Sequence, residues 1–309
     1  MSIRCAVIGV GYLGKFHAQK YAALPNAKLI AVVDSNRQSA ERLAKELDCR
    51  ACGDLLEILD DVDAVSIVAP TTLHHKMAAK CLRHGIHVLV EKPITTTLEE
   101  ADELIELAQK NNCILQVGHL ERFNAAVLAL GQTSGNTPLF IESHRLAPFK
   151  PRATDVNVVL DLMIHDIDII LDLVKSDITD MRASGASILS NTVDIANVRL
   201  EFANGCVANV TASRVSQKSE RKMRLFQKDA YLSIDFQAKA LDSYRKGKTE
   251  IFPGVPEIIH VRTSEGNDDA LLEEIKDFLR VIRTGEKPAV SGEDGRRALA
   301  TAIQISELF

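Results

Sequence analysis

A short apolar run, Cys5-Ala6-Val7-Ile8, leads directly into Gly9-Val10-Gly11-Tyr12-Leu13-Gly14, and a helical stretch from about Gly14 to Leu24 follows. A strand, a glycine-rich turn and a helix in that order constrain the fold more than any other feature of the chain. Gly9 permits the tight turn, Gly11 leaves bare backbone for close approach, and Gly14 lets helix and strand pack. The N–H groups at the helix start then make a cradle for phosphates. About 20 residues further on, Asp34 ends a second apolar run, where a carboxylate can accept hydrogen bonds from a ribose. Glycine-rich turns are common, but this context predicts a dinucleotide site built from Gly9, Gly11, Tyr12, Leu13, Gly14 and Asp34. A carboxylate repels a 2′-phosphate, so NAD is expected rather than NADP, a preference that Arg37 nearby softens.

The same grammar continues. Apolar runs at Leu29–Val33, Ala64–Val68, Val88–Val90 and Ile114–Val117 alternate with helical patterns, one opened by an expected capping box at Thr97–Glu100. Such alternation means a doubly wound parallel sheet with helices on both faces. After Gly118 the pattern changes. A helix is expected near Asn124 to Leu130, an extended segment over Phe140 to Leu146, and a long helix from about Val156 to Val174. Stretches of period-two alternation then run from Met181 to Val261, with a hairpin signal at Asn204-Gly205. The fold class expected is α/β plus α+β: a Rossmann domain over residues 1–118 and a mostly antiparallel, open-faced sheet domain over 119–309.

The 309 residues carry a net charge of −5, spread along the chain, and show no concentrated basic face of the kind that nucleic acids require. No apolar run approaches the roughly 20 residues that span a bilayer, and no signal peptide is read at the start. The six cysteines are scattered, and several sit in apolar runs. They are expected to be reduced and mostly buried, in keeping with a cytoplasmic protein. Cys49-Arg50-Ala51-Cys52 has redox or zinc half-site spacing, but it follows a helix and has no second pair to complete a zinc site.

Glu91-Lys92-Pro93 follows the strand Val88–Val90, and in a doubly wound sheet that strand end opens on the ligand crevice. A lysine there can donate a hydrogen bond to a reacting oxygen or exchange a proton with it. Lys-Pro after a strand is also an ordinary turn. In the long helix, Asp161, His165, Asp168 and Asp172 share one stripe, which reads equally as a metal site or as a solvated polar face.

Taken together, the glycine fingerprint, Asp34, Pro70-Thr71-Thr72-Leu73-His74 and Glu91-Lys92-Pro93 resemble the glucose-fructose oxidoreductase / inositol dehydrogenase / MocA family. The likeness runs over essentially the whole chain, including Pro288 to Arg297. It implies that Lys92 is catalytic and that Pro70, Thr71, His74 and Glu91 line the cofactor crevice. It also implies that Asp161-Leu162-Met163-Ile164-His165 matches the family's Asp and His pair. His165 is then the acid/base, without a metal, and Asp161 orients the sugar or tunes the histidine. Met163 stands where the family often has Gly, a departure that bears on substrate class. The stretch Gly118–Asn124, with Asp161–Asp168, resembles members that oxidise UDP-N-acetylglucosamine at the 3-hydroxyl, a step towards amino sugars for surface polysaccharide or lipid A.

Expected substrate contacts are Glu121, Arg122 and Asn124 at the domain junction, and Arg145, Lys150 and Arg152 on a loop that could hold a diphosphate. The alternative is that Glu121 and Arg122 pair with each other and the loop cations are solvated. The function expected is NAD-dependent oxidation of a sugar secondary hydroxyl. The rivals are a non-catalytic NAD sensor, a dehydrogenase of free sugars or inositols, and one acting on a non-sugar alcohol or a tetrapyrrole. The open sheet face predicts a homodimer or homotetramer.

Overall fold

The computed structural model describes residues 2–133, 137–150, 156–264 and 269–309. The chain divides into two compact units, one of Met1–Leu120 with Asp269–Arg297 and one of Glu121–Asp268 with Ala298–Phe309.

The first unit is a six-stranded parallel sheet. Its strands are β1 (Ile3–Ile8), β2 (Ala27–Val33), β3 (Arg50–Cys52), β4 (Ala64–Ile67), β5 (His87–Glu91) and β6 (Leu115–Gly118), in the order β3-β2-β1-β4-β5-β6. All four residues of β4, and Cys5 to Ile8 of β1, are buried, as a sheet covered on both faces requires. The helices are α1 (Tyr12–Ala23), α2 (Arg37–Leu47), α3 (Thr71–Arg83) and α4 (Leu98–Lys110). Strand order reverses direction between β1 and β4, and in such sheets ligands bind at the carboxyl ends beside that reversal. At the start of α4, the Thr97 hydroxyl accepts from the Glu100 N–H at 3.3 Å. The Glu100 carboxylate turns instead to Thr96, taking its N–H and hydroxyl, so the expected capping box closes on a neighbouring residue.

The second unit contains α5 (Ala125–Thr133), β7 (Phe140–Leu146), a π-helical turn at Val159–Met163 continuing as α6 (Ile164–Val174), and β8 (Ile178–Ala186). Then come β9 (Ile195–Phe202), β10 (Val207–Ser213), β11 (Glu220–Gln227), β12 (Ala230–Asp235), β13 (Ala240–Phe252) and β14 (Val255–Ser264). Eight strands form one sheet in the order β14-β13-β12-β11-β7-β10-β9-β8, antiparallel throughout except where β7 and β10 run parallel. Alternate residues of β9 and β10 are buried against helices, including Ala196, Val198, Leu200, Ala208 and Val210. The other face carries a ladder of directly opposed rings, Phe140, Phe226, Tyr231, Tyr244 and His260, with centroids 4.4–6.0 Å apart. Cross-strand ring pairs of this kind stiffen a sheet.

The return of Asp269–Arg297 to the first unit departs from an uninterrupted second domain over 119–309. Helix α7 (Ala270–Thr284) is capped by Asp269, whose carboxylate accepts from the N–H groups of Leu271 and Leu272 and pairs with Lys20 on α1. Its stripe of Leu271, Ile275, Phe278 and Leu279 packs into the same core as Val7, Tyr21 and Leu89. The last helix, α8 (Gly292–Ser306), carries the boundary between the units within it.

Candidate active site

The glycine turn is built as its spacing requires. Gly9 has φ +87°, a left-handed value that a side chain would strain, and a Cβ there would lie 2.5 Å from the Val68 carbonyl oxygen. A Cβ on Gly14 would fall 1.8 Å from the Gly9 oxygen, whereas one on Gly11 would meet nothing within 4 Å. Gly11 caps α1 without any side-chain hydrogen bond, and no acidic residue occupies the first turn. Such a helix start suits phosphate. Beside it lies a cavity of about 430 Å³, lined among others by Gly9, Gly11, Asp34, Pro70, Lys76 and Lys80. The Asp34 carboxylate accepts from the Val10 N–H at 2.8 Å and the Asn36 N–H at 2.7 Å. It thereby ties the glycine turn to the end of β2 and retains lone pairs for a ribose. This cradle fits NAD.

The pair of inner glycines can be separated by experiment. Gly11→Ala is expected to leave the melting temperature unchanged and to weaken NAD binding roughly tenfold or more, because its methyl points into open cradle space. Gly14→Ala is expected to lower the melting temperature as well, since its methyl strikes backbone. NAD titration and thermal melts on both variants check this.

Other expected cofactor contacts fall differently. Tyr12 is exposed and makes an edge contact with Phe16 at 5.3 Å, while Leu13 packs against the core. Arg37 pairs with Glu41 on its own helix at 2.9 Å. Pro70 precedes α3, and Thr71 to His74 form its first turn rather than a loop. His74 is buried, with Nδ1 2.9 Å from the Pro93 carbonyl oxygen and Nε2 2.9 Å from that of Ala69. It therefore staples the end of β4 to the Lys92-Pro93 turn instead of reaching a ligand. Lys92 is half-buried at the end of β5, joined to Pro93 by a cis peptide bond. Glu91 turns to His17, 3.3 Å away, and not to the cavity.

In the second unit, the Asn157 side chain accepts from the N–H groups of Val159 and Leu160 and starts the π turn that carries Asp161. Such turns concentrate at functional sites. Asp161 and His165 are half-buried. Asp168 and Asp172 do not extend a polar or metal-binding stripe with them: both hold Arg122, at 2.7 Å each. Arg122 is buried, and these two aspartates are its ion-pair partners in place of the expected Glu121. Arg145 lies on β7, not on a loop, and is also buried. Its guanidinium donates to Asp166 through Nε and Nη2 and to Glu121 through Nη1, at 2.7–3.2 Å, and stacks 5.4 Å from the Phe236 ring centre. Three of its five N–H groups are thereby held by two carboxylates. Asn124 donates to Glu121 and to the Phe236 carbonyl. Lys150 is exposed, and Arg152 lies outside the described residues.

Sequence reasoning missed Lys76 and Lys80 of the cavity wall and two buried ionisable residues, His17 and Glu274. The signal for Glu274 was present: it interrupts the apolar stripe of α7 three residues after Leu271 and four before Phe278. All six cysteines are unbridged, Cys49 and Cys52 included. Burial pushes the Cys81 thiol up to about 12 and those of Cys49 and Cys206 to about 11, which keeps them unreactive.

Comparison with known proteins agrees with this geometry. Residues 3–119 match an oxidoreductase family with an NAD-binding Rossmann fold, and residues 137–233 match the GFO/IDH/MocA C-terminal domain. The chain is 43% identical to UDP-N-acetylglucosamine 3-dehydrogenase of Acidithiobacillus ferrooxidans, covering 98% of this chain and 96% of that protein. The solved structure of that enzyme superposes with a TM-score of 0.93 at 41% identity, covering 100% of this chain and 98% of the other. The scyllo-inositol 2-dehydrogenase of Bacillus subtilis is 29% identical over 99% of this chain and 94% of its own. With its NAD cradle, its parallel sheet and its antiparallel second sheet, the chain belongs to the GFO/IDH/MocA family of NAD-binding oxidoreductases.

Proposed function

We propose that this dehydrogenase oxidises the 3-hydroxyl of UDP-N-acetylglucosamine, or of a nucleotide sugar close to it, to a ketone. The observation that carries the reading is the likeness at 43% identity over 98% of the chain to an enzyme of that name. Bound NAD supplies the hydride acceptor. The chain's own groups handle the proton and the orientation of the carbinol. His165 takes the hydroxyl proton as hydride leaves the same carbon, and Asp161, one turn before it, orients that ring or a sugar hydroxyl. Lys92 donates a hydrogen bond to the oxygen as it becomes a carbonyl. His74 supports Lys92 by fixing the Pro93 carbonyl. With Arg122 and Arg145 engaged in ion pairs, Lys150 and Arg152 remain as the proposed partners of a diphosphate.

A 3-keto sugar suits an amine-installing step, in keeping with a place in making amino sugars for surface polysaccharide. The ring ladder, with the exposed Ile258 two residues from His260 on the same face of β14, supports assembly into a homodimer or homotetramer through the open sheet face. Among the described residues no helix is long and apolar enough to cross a membrane. The unbridged cysteines support a reducing, cytoplasmic setting.

The test is absorbance of reduced nicotinamide with NAD and a panel of UDP-N-acetylglucosamine, scyllo- and myo-inositol, and glucose. NADH from the UDP-sugar alone is the expected result. NADH from an inositol alone would replace this substrate class, and bound NAD with silence throughout would favour the sensor.

A further inference from the structure

Three ionisable side chains meet inside the first unit, away from the glycine cradle. Glu274 on α7 is fully buried, and neither carboxylate oxygen has a hydrogen-bond partner among the described residues. A ligand atom of Glu274 lies within 4.8 Å of one on His17 of α1 and one on Glu91 at the end of β5. His17 is fully buried too, with Nε2 3.3 Å from Glu91 Oε1 and Nδ1 without a hydrogen-bond partner among the described residues. The second Glu91 oxygen accepts the backbone N–H of Lys92 at 3.3 Å. Glycine at 118 leaves room for the Glu91 carboxylate: a Cβ there would come within 2.9 Å of its carboxyl carbon.

Two ionised carboxylates this close in an apolar surround are untenable, because desolvation and repulsion both act against the second charge. A proton or a cation must neutralise it. Two further titratable groups stand close to Glu274. Tyr21 of α1 is committed to Ser66, and Asp277 of α7 adds a further negative charge, itself held by Arg280. From β6, Gln116 donates to the Glu274 backbone carbonyl and not to its side chain. A proton on Glu274 removes the conflict with groups already present, leaving one ionised carboxylate to receive His17 and the neutral acid as donors.

We propose that Glu274 works as a neutral carboxylic acid paired with the ionised Glu91, and that with His17 it forms a positioning triad that holds Lys92 through its backbone. The role toward Lys92 rests on the reaction proposed above, whereas the protonation of Glu274 does not. Burial first, then the charges of Glu91 and Asp277, hold the Glu274 carboxyl well above the ordinary carboxylate range. The sign for stability follows. The folded state keeps a proton that the unfolded chain gives up above its ordinary carboxylate pKa. The contribution of Glu274 is therefore most favourable at acid pH and is eroded as pH rises towards the folded value.

The experiment compares the full-length wild type with Glu274→Gln and Glu274→Leu. Infrared difference spectra of wild type against Glu274→Gln are expected to contain the C=O stretch of a protonated acid, shifted in D2O and missing from the variant. Glu274→Gln keeps a donor, so its kcat on UDP-N-acetylglucosamine is expected within about threefold of wild type, and its melting temperature should fall less between pH 5 and 8. Glu274→Leu keeps bulk without a donor and is expected to lose roughly tenfold or more in kcat, with KM and NAD affinity little changed. Absence of the acid band overturns the proposal, as does a Gln variant as impaired as the Leu variant. One equivalent of zinc retained by wild type after dialysis, and lost in Glu274→Gln, overturns it in favour of a cation site. If no sugar in the panel is turned over, the proposed reaction fails, and the infrared band still decides the state of Glu274.

Discussion

Replacing Lys92 with methionine, which keeps length and removes the ammonium, is expected to lower turnover by roughly 10²- to 10⁴-fold while NAD remains bound. The same range is expected for His165→Ala. The physical reason is shared: oxidation of a carbinol requires its proton to leave as the hydride departs, and both side chains are proposed to act on the oxygen that carries that proton. The two differ in what rescues them. His165→Ala is expected to recover activity as pH rises, because hydroxide and water replace a lost base. Lys92→Met is not, because a hydrogen bond to the developing carbonyl has no substitute in solution. Stopped-flow single turnovers, with NAD affinity measured separately, read both effects. Retention of full turnover in either variant would sink that residue's role.

The second large effect concerns stability. Arg145→Met removes a shared cation from two carboxylates: Asp166, which is buried, and Glu121, which keeps Arg221 and Asn124. Breaking a buried ion pair from one side costs about 3–5 kcal/mol, because the charge left behind is uncompensated. At about 2–4 °C per kcal/mol for a unit of this size, the melting temperature is expected to fall by roughly 6–20 °C. KM for the nucleotide sugar should change little in the protein that stays folded. A raised KM with an unchanged melting temperature would return Arg145 to the diphosphate. Arg145→Lys is a poor rescue, since a point charge cannot span both carboxylates as the planar guanidinium does.

Those two residues mark what the sequence made legible. The position of Lys92 follows from local rules, a strand and the strand end that opens on a crevice, while its catalytic role comes from the family resemblance and not from those rules. The glycine turn and Asp34 are local in the same sense, each fixed by residues a few positions away or by one β-α-β unit. Arg122 and Arg145 are not local. Their partners include Asp168 and Asp166, 46 and 21 residues away, on a helix whose apolar periodicity says nothing of what its aspartates hold. Read alone, a cation near a site looks like a substrate anchor; only the packed structure shows its donors already occupied. His74 is the same case, since its ring neighbours are backbone carbonyls at Ala69 and Pro93, and carbonyls leave no mark in a sequence. Glu274 was legible in principle, as a charge in an apolar stripe. Its partners His17 and Glu91 come from distant elements that only the sheet order brings together.

The return of α7 to the first unit has a consequence for how the protein is made. Strand β6 ends at Gly118 and α7 begins at Ala270, so the entire second sheet leaves the ribosome in between. At about 5–20 residues per second this leaves the parallel sheet without Leu271, Ile275, Phe278 and Leu279 for roughly 8–30 s. During synthesis the nucleotide-binding half is thus an apolar surface waiting for its last helix, although it comes first in the chain. A fragment of residues 1–120 is expected to aggregate or bind a chaperone, and adding residues 269–297 in trans or through a linker is expected to restore NAD binding. Nascent-chain proteolysis at successive lengths would show protection of the first sheet arriving only after α7 has emerged.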